Sequence, residues 1–454
     1  MTEDLDVAII GGGPGGLSAG VCASLADPYL NMKVFERASS LRPAGFVVGV
    51  LPNALKAIRA MDTTLYNSCL EQLTPQDDYQ CVTIMKNTGE VIMTTDGTAA
   101  RERYAKYGGG LFPVAWYDLQ RFWASHLPPN TLQIGSLFDR YEDLGDEGVI
   151  VHLKDGRQYR AKVLIGADGN LSQVRKQLLA DGLPRFAGLA IWRAMRKRPA
   201  DWPTPAGLLN FIDDGEKRKI MTYALSGNRL TWNVAVPWAA EDLGRLGNQR
   251  YITENSGAGD PQGKLDRCLA SLAESEGGWP DYVVGMLRDT ALSDITEHAL
   301  FYREPSDCHI YGVGRVTLLG DAAHLTAAAL GQGTSQTMED ALELGRALAL
   351  HGPTPEALRA YETVRAPAAG EVQKASADLV KNWGKLGEQW VSAEQRASEH
   401  FFSRTFEPMP RAKRRAATAR ARPSAAAGRG LLAARMMRPC TARMPRCTGS
   451  VSVV

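Results

Sequence analysis

Three short stretches of this 454-residue sequence join glycine to a carboxylate at the end of an apolar run. In DLDVAIIGGGPGGLSAG, Gly11, Gly13 and Gly16 stand at G-x-G-x-x-G spacing, and Glu36 follows Gly16 by 20 residues at the end of NMKVFER. That arrangement suits a dinucleotide. The first glycine permits a tight turn, the second lets backbone approach a pyrophosphate and the third lets helix and strand pack closely, while the helix N-terminus faces the anion and the acid accepts from a ribose hydroxyl. In AKVLIGADGNLSQVRKQL, Asp168-Gly169 forms the corner between a strand and a helix, where an aspartate can also serve only as a cap. In RVTLLGDAAHLTAAALGQG, Gly320, Asp321, Gly331, Gln332 and Gly333 stand among alanines with hardly any bulk. Such a loop lets backbone lie against something flat or anionic. Three strand ends with an acid each (Glu36, Asp168, Asp321) fit one extended ligand better than three unrelated caps. GAGDPQG at 257–263 has the wrong spacing for a second copy and no strand before it, so a second dinucleotide would have to bind by other means.

The elements that position these residues follow from periodicity. Val7 to Ile10 reads as a strand, Leu17, Val21 and Leu25 as the apolar face of the next helix, and NMKVFER as a second strand. In the middle of the chain LAIWRAMRK, KIMTYAL and LTWNVAVP alternate with β-branched and aromatic residues, the pattern of a mixed or antiparallel sheet. Trp192, Tyr223 and Trp232 of that sheet are candidates for an apolar lid, or simply core. Helical patterns return in SQTMEDALELGRALALH and TPEALRAYETVRAPAAGEVQKASADLV, the latter with Pro355 in its first turn.

The formal charge of +2 conceals an asymmetry. Arg411 to Val454 holds ten arginines, one lysine and no acid, leaving −9 on the residues before it. An acidic body argues against a nucleic-acid surface, and the Arg/Ala-rich 411–454 stretch reads as a disordered tail. Seven cysteines are scattered without C-x-x-C spacing, which disfavours a disulfide framework, a zinc site and a dithiol pair alike. No run reaches the ~18 apolar residues of a membrane span, and the expected location is cytoplasmic.

Taken in order, GGGPGG with Glu36, GADGNLSQVR, and GDAAHLTAAALGQGTSQTMEDALEL make the chain resemble the single-component (group A) FAD-dependent aromatic hydroxylases, the salicylate-hydroxylase-like flavoprotein monooxygenases. Softer matches are LRPAGFVVGVLPNALKAI, FAGLAIWRAM and ALRAYETVRAP, and the likeness spans about residues 5 to 375. It implies an α/β fold with a Rossmann-type FAD-binding domain (1–75, 100–180 and 300–365), an inserted mixed β-sheet substrate domain (76–99 and 181–299) and a C-terminal helical segment (366–410). It also implies non-covalent FAD, with Gly11, Gly13 and Gly16 at the pyrophosphate, Glu36 on the adenosine ribose, Arg37 and Arg42 among the cofactor-binding residues, and Asp168 near both the pyrophosphate and the transient nicotinamide cofactor. Asp321 would hydrogen-bond the ribityl chain, with Gly320 beside it among the cofactor-binding residues, and Gly331, Gln332 and Gly333 would run beside the isoalloxazine ring. NADH or NADPH would be a transient reductant, and oxygen would reach a small aromatic or alicyclic substrate through a flavin hydroperoxide, by hydroxylation or epoxidation. Arg193, beside Trp192, would orient a substrate carboxylate or phenolate, unless it faces solvent or pairs with an acid of the next strand. His324 reads as structural. The remaining partner is O2, and a homodimer is compatible with the family.

Two positions depart from the family pattern: Ala328 stands where a proline is usual, and Trp116, in PVAWYDLQRFWASHL, stands where an arginine normally touches the flavin. Other flavin-dependent oxidoreductases on the same fold and a non-catalytic FAD-binding homologue are the competing readings. A halogenase is disfavoured, because WNVAVP lacks the second tryptophan of W-x-W-x-I-P.

Overall fold

The run Val7–Ile10 is apolar at every position because it is covered on both faces, as a strand inside a parallel sheet must be. In the computed structural model of the chain it forms the end of a strand Glu3–Ile10 that begins earlier than the apolar run alone indicates. The structure describes residues 2–41, 46–73, 82–108, 110, 112–200, 202, 207–213, 218–246, 260–307, 309–382 and 389–411. Glu3–Ile10 pairs in parallel with Gln158–Gly166 on one side and Met32–Phe35 on the other. Met32–Phe35 continues in parallel to Leu132–Gln133, and Gln158–Gly166 to Val316–Leu318. Three of the carboxyl ends in this sheet, at Ile10, Gly166 and Leu318, therefore lie side by side. Those are the strands that lead into the three glycine-acid stretches, and ligands of open α/β sheets bind outside such ends.

The helix Pro14–Ala26 packs on the helix Gly333–His351. Small residues let them approach: a Cβ on Gly345 would fall 3.0 Å from the Cys22 Cβ. The cysteines 22, 69 and 268 are free and buried. Burial pushes the Cys69 thiol up to about 12.

A second sheet of seven strands has the order Thr296–Tyr302, Arg185–Lys197, Arg229–Pro237, Lys219–Leu225, Leu208–Ile212, Val82–Lys86, Val91–Thr95. All its pairings are antiparallel except that of Leu208–Ile212 with Val82–Lys86. The helices Pro261–Ala273 and Asp281–Arg288 cover one face. Trp192, Phe211, Ile220 and Trp232 pack there with Leu265, Leu272 and Val283 in a separate core. A small antiparallel pair, Val47–Val50 with Phe112–Ala115, touches the opposite side of this sheet through the strand Lys219–Leu225. The helix Pro355–Lys381 carries Pro355 in its first turn, as its sequence indicates, and Pro367 inside it. The fold is mixed α/β, and no helix among the described residues is long and apolar enough to cross a membrane. Residues 412–454, with most of the Arg/Ala-rich stretch, lie outside the described residues.

Two glycines give opposite tests of this packing. A Cβ on Gly16 would fall 1.9 Å from the Gly11 carbonyl oxygen, whereas one on Gly370, inside Pro355–Lys381, meets nothing within 4 Å. Gly16→Ala is expected to cost about 3 kcal/mol, the upper range for overpacking. Gly370→Ala is expected to gain about 0.5–1 kcal/mol. Urea unfolding of both variants checks the pair, and equal stabilities would refute the close approach at Gly16.

Candidate active site

Gly11 turns the chain out of the first strand at φ +112°, with its N–H donating to the Phe35 carbonyl at 2.8 Å. A side chain there would lie 2.2 Å from the Ala167 oxygen, so this turn rests directly on the second strand end. The following helix has Gly13 as its cap, Pro14 in the first turn, no side-chain cap and no acid in that turn. Its leading N–H groups are thus left for an anion. Gln120 Nε2 donates to the Gly12 carbonyl at 2.6 Å. Glu36 accepts from the Gly12 N–H at 2.7 Å and from the Ala38 N–H at 2.8 Å. It therefore holds the glycine turn itself, and each carboxylate oxygen keeps a further lone pair. Arg37 is exposed, and Arg42 lies outside the described residues.

Asp168 acts as a cap. Its carboxylate accepts from the Ser172 hydroxyl at 2.5 Å and from the N–H groups of Gln173 and Val174 at 2.7 and 3.2 Å. Burial pushes its pKa up while these hydrogen bonds pull it down, and the upward effect prevails. The residue of that stretch which reaches the third one is Arg175. It is 2% exposed, and its guanidinium donates to the carbonyls of Ala322 and Ala323 at 3.0 and 2.7 Å. Asp181 pairs with its other edge. Sequence reading overlooked Arg175, since its partners lie 147 and 148 residues away.

In the third stretch, Ala322 to Leu325, Ala327, Ala329, Leu330 and Gln332 are buried, whereas Asp321, Ala328 and Gly331 are exposed. Asp321 has no hydrogen-bond partner among the described residues. Protein nevertheless surrounds it closely enough for burial to push its pKa up, with His324 opposing and Asp340 adding to the rise. A Cβ on Gly333 would stand 4.0 Å from Asp321 Oδ1, so the helix Gly333–His351 starts beside this carboxylate. Gln332 is 1% exposed and accepts from Asn53 Nδ2 at 3.0 Å, yet its own Nε2 is buried without a partner.

A buried polar cluster fixes both ends of this loop. Asp340 Oδ2 accepts from the Gly320 N–H at 2.9 Å and lies 2.6 Å from His324 Nε2, while Oδ1 accepts from Arg365 Nε at 2.7 Å. Glu339 accepts from Arg365 at 2.6 Å, Arg404 at 2.9 Å and Asn53 at 2.7 Å. Burial alone would raise the Asp340 pKa, but His324 and Arg365 more than offset it and hold the carboxyl at about 2. Burial alone would lower the Arg365 pKa, but Glu339 and Asp340 more than offset it and push it up. His324 is structural, as its sequence context indicates.

Alternation along Arg185–Lys197 decides the faces of the second sheet. Trp192 and its cross-strand partner Glu297 share the helix-covered face, where Trp192 Nε1 donates to Glu297 at 2.9 Å and Arg267 neutralises the carboxylate. Trp232 lies there too, bonded to Thr290. Neither tryptophan is a lid; both are core. Arg193 is on the opposite face, as is Leu189, which packs with Ala327, Ala329 and Leu330 of the loop. The guanidinium of Arg193 stands 4.0 Å over the Phe46 ring, and Phe46 packs on Trp116 at 5.5 Å. The indole of Trp116 is 3.8 Å from where a Gly13 Cβ would be. Arg193 thus neither faces bulk solvent nor pairs with an acid: its Nε is buried without a partner, and burial pushes its pKa down to about 10. It stays charged at neutral pH and unmatched, which is costly unless a ligand supplies the anion. No group of metal-ligating side chains occurs among the described residues.

Known proteins resemble this chain over most of its length. The family described as FAD binding domain matches residues 286–376. The chain is 28% identical over 395 residues to an aurachin C monooxygenase/isomerase of Stigmatella aurantiaca, covering 87% of this chain and 92% of that protein. It is 29% identical over 398 residues to a 3-amino-4-hydroxybenzoate 2-monooxygenase of Streptomyces cremeus, covering 84% and 89%. Among solved structures, Klebsiella pneumoniae HpxO complexed with FAD and uric acid superposes with a TM-score of 0.70 at 23% identity, covering 87% of this chain and 93% of that one. The resemblance read from the three motifs is borne out by these relatives.

The buried cluster predicts a stability profile. Asp340 titrates at about 2 in the folded chain and near ~3.9 when unfolded, so its contribution is complete above about pH 4 and lost as pH falls toward 2. Wild type should lose on the order of 2 kcal/mol through this group across that window, and Asp340→Asn should lose correspondingly less. Arg365→Met strands two buried carboxylates and should cost about 3–5 kcal/mol at neutral pH. Denaturant titrations at stepped pH read both effects; a near-neutral Arg365→Met would contradict the charge pairing.

Proposed function

We propose that this chain, a relative of the FAD-dependent aromatic monooxygenases, holds FAD non-covalently and uses NADH or NADPH with O2 to hydroxylate or epoxidise a small aromatic or alicyclic compound. One observation carries the reading: the Gly11 turn, the Ala167–Asp168 strand end and the Gly320–Gly333 loop converge, and a sheet face bearing an unpaired arginine lies against the same loop.

The residues fit the cofactor. A helix N-terminus without a cap or acid suits a pyrophosphate, an accessible carboxylate without a partner at Asp321 suits sugar hydroxyls, and the orphaned Gln332 Nε2 is a donor in need of an acceptor. In this reading Gly11, Gly13 and Gly16 receive the pyrophosphate, and Glu36, with Arg37 and Arg42, the adenosine half. Asp168 keeps the second strand end in shape beside them. Gly320 and Asp321 serve the ribityl chain, and Gly331 to Gly333 the ring. Bound FAD supplies electron transfer and oxygen activation. The chain supplies the rest. Segments 1–75, 100–180 and 300–365 form the cofactor domain, and segments 76–99 and 181–299 the substrate domain. Arg193 presents a fixed cation to an anionic group of the substrate, which sets its orientation. The packed alanines 327 and 329 against Leu189 keep water from that side of the loop. NAD(P)H visits without a Rossmann unit of its own.

The protein is expected to purify yellow and to oxidise NADH or NADPH faster when a fitting aromatic compound is present. Asp321→Ala and Glu36→Ala should each lose FAD on dialysis, Glu36→Ala through collapse of the Gly12 turn as well as through the lost ribose contact. Flavin absorbance per protein reads this directly. Full retention by both variants would overturn the cofactor assignment.

A further inference from the structure

The sequence FEPMPR places two prolines within three residues at 408 and 410, so the chain there cannot continue the helix Gln389–Phe402 and runs on as a strap without helix or strand. The strap is fastened to the ends of two helices. The Met409 N–H donates to the Ala60 carbonyl at 2.7 Å, and the Met409 side chain is part of the core. Arg411 donates to the carbonyls of Leu25 at 2.8 Å and Met61 at 3.3 Å, closing the last turns of Pro14–Ala26 and Pro52–Met61. Between the strap and the helix Pro52–Met61 lies a cleft of about 500 Å³, lined by Lys56, Arg59, Asp62, Phe406, Pro408 and Arg411 among others.

The charges in this cleft do not balance. Asp62 answers Arg411 at 2.8 Å, which leaves no acid for the other two cations. Lys56 Nζ donates to the Phe402 carbonyl at 2.5 Å and keeps two further N–H groups, and the exposed Arg59 stands 5.8 Å over the Tyr66 ring. Neither has an ion pair among the described residues. Three positions apart on one helix, they are neighbours, and like charges so placed repel. Arg59 in the last turn is explained by the helix dipole alone, but Lys56, in mid-helix and half-buried under the strap, is not. Burial lowers the Lys56 pKa, and the Glu339 charge opposes this only in part.

We propose that the cleft binds a small monocarboxylate with an apolar body, the carboxylate held by Lys56 and Arg59 and the body laid along Phe406 and Pro408. Two cations beside an apolar wall suit an amphipathic anion, and the volume is that of a small-molecule site. A dianion such as phosphate fits less well. The helix Pro52–Met61 turns its carbonyl end toward the cleft, where the dipole is negative, and offers no array of backbone N–H groups. The site is independent of the cofactor reading, since no residue in it is assigned to FAD, NAD(P)H or the oxidised substrate.

The probe is decanoate below its micelle-forming concentration, added to the full chain as purified, with acetate and inorganic phosphate as controls. Calorimetry reads affinity, and amide hydrogen exchange reads place. Decanoate is expected to bind at least about tenfold more tightly than either control, and to slow exchange across 403–411 by holding the strap on the helix. Lys56→Gln and Arg59→Gln should each weaken decanoate by about tenfold, and Lys56→Arg should restore the affinity. Arg59 is exposed, so its replacement leaves the fold intact even if Lys56→Gln loosens the strap. Arg193→Gln, which removes the unmatched cation of the second sheet, should bind decanoate as wild type does. Phosphate binding as tight as decanoate overturns the ligand class. Undiminished affinity in Arg59→Gln and Lys56→Gln alike, loss of affinity in Arg193→Gln, or no binding by wild type overturns the site.

Discussion

Two adjacent acids in the middle of one helix, both without solvent, are the constraint around which the cofactor side of this chain is arranged. Glu339 and Asp340 are 0% exposed. Charges so placed must be matched or the fold does not hold them, because stripping water from a carboxylate costs several kcal/mol that only well-aimed partners return. Arg365 meets both acids from the next helix, Arg404 reaches Glu339 from the segment after that, and the Gly320 N–H and His324 take the remaining side of Asp340. Since Asn53 bridges Glu339 and Gln332, the same cluster grips the loop at its far end. The residues between those grips need no anchoring side chains. That is why the stretch from Ala322 to Gly333 can be nearly bare.

The substrate side follows a different rule. Along one strand, Trp192 serves the core and Arg193 the cleft, with nothing but the two-residue pleat to separate the roles. Glu297 and His298 repeat the division on the next strand. The helix-covered face is closed by the Arg267–Glu297 pair and by tryptophans whose N–H groups are satisfied. On the inner face, Arg193 Nε and Asn210 Oδ1 are buried without partners.

Much of this was legible in advance. The glycine spacing, the strand-helix-strand unit and the sheet strands in the middle of the chain follow from period and turn chemistry, which are local. What was not legible is pairing at a distance. Asp168 reads from the sequence as a ligand contact in preference to a cap, and only the placement of Ser172, Gln173 and Val174 reveals how its carboxylate is used. Glu36 was read for a sugar, but it also staples the turn that precedes it. Nothing in SQTMEDALEL distinguishes an acid bound for solvent from one buried against an arginine 25 residues later. Likewise, the pleat fixes that Trp192 and Arg193 part company but not which of them meets the helices.

The contrast between the two sides bears on how such a molecule can change over generations. In the cluster around Asp340, replacing any one member leaves another charge stranded, so an altered arrangement is reached only by several changes made together. On the inner face of the second sheet no described residue neutralises Arg193, and Asn210 and His298 owe nothing to one another; each can be exchanged singly at modest cost to the fold. The chain is thus built with a slow half and a fast half, and a lineage carrying it can acquire new chemistry at its substrate while the loop beside Gly320 stays as it is.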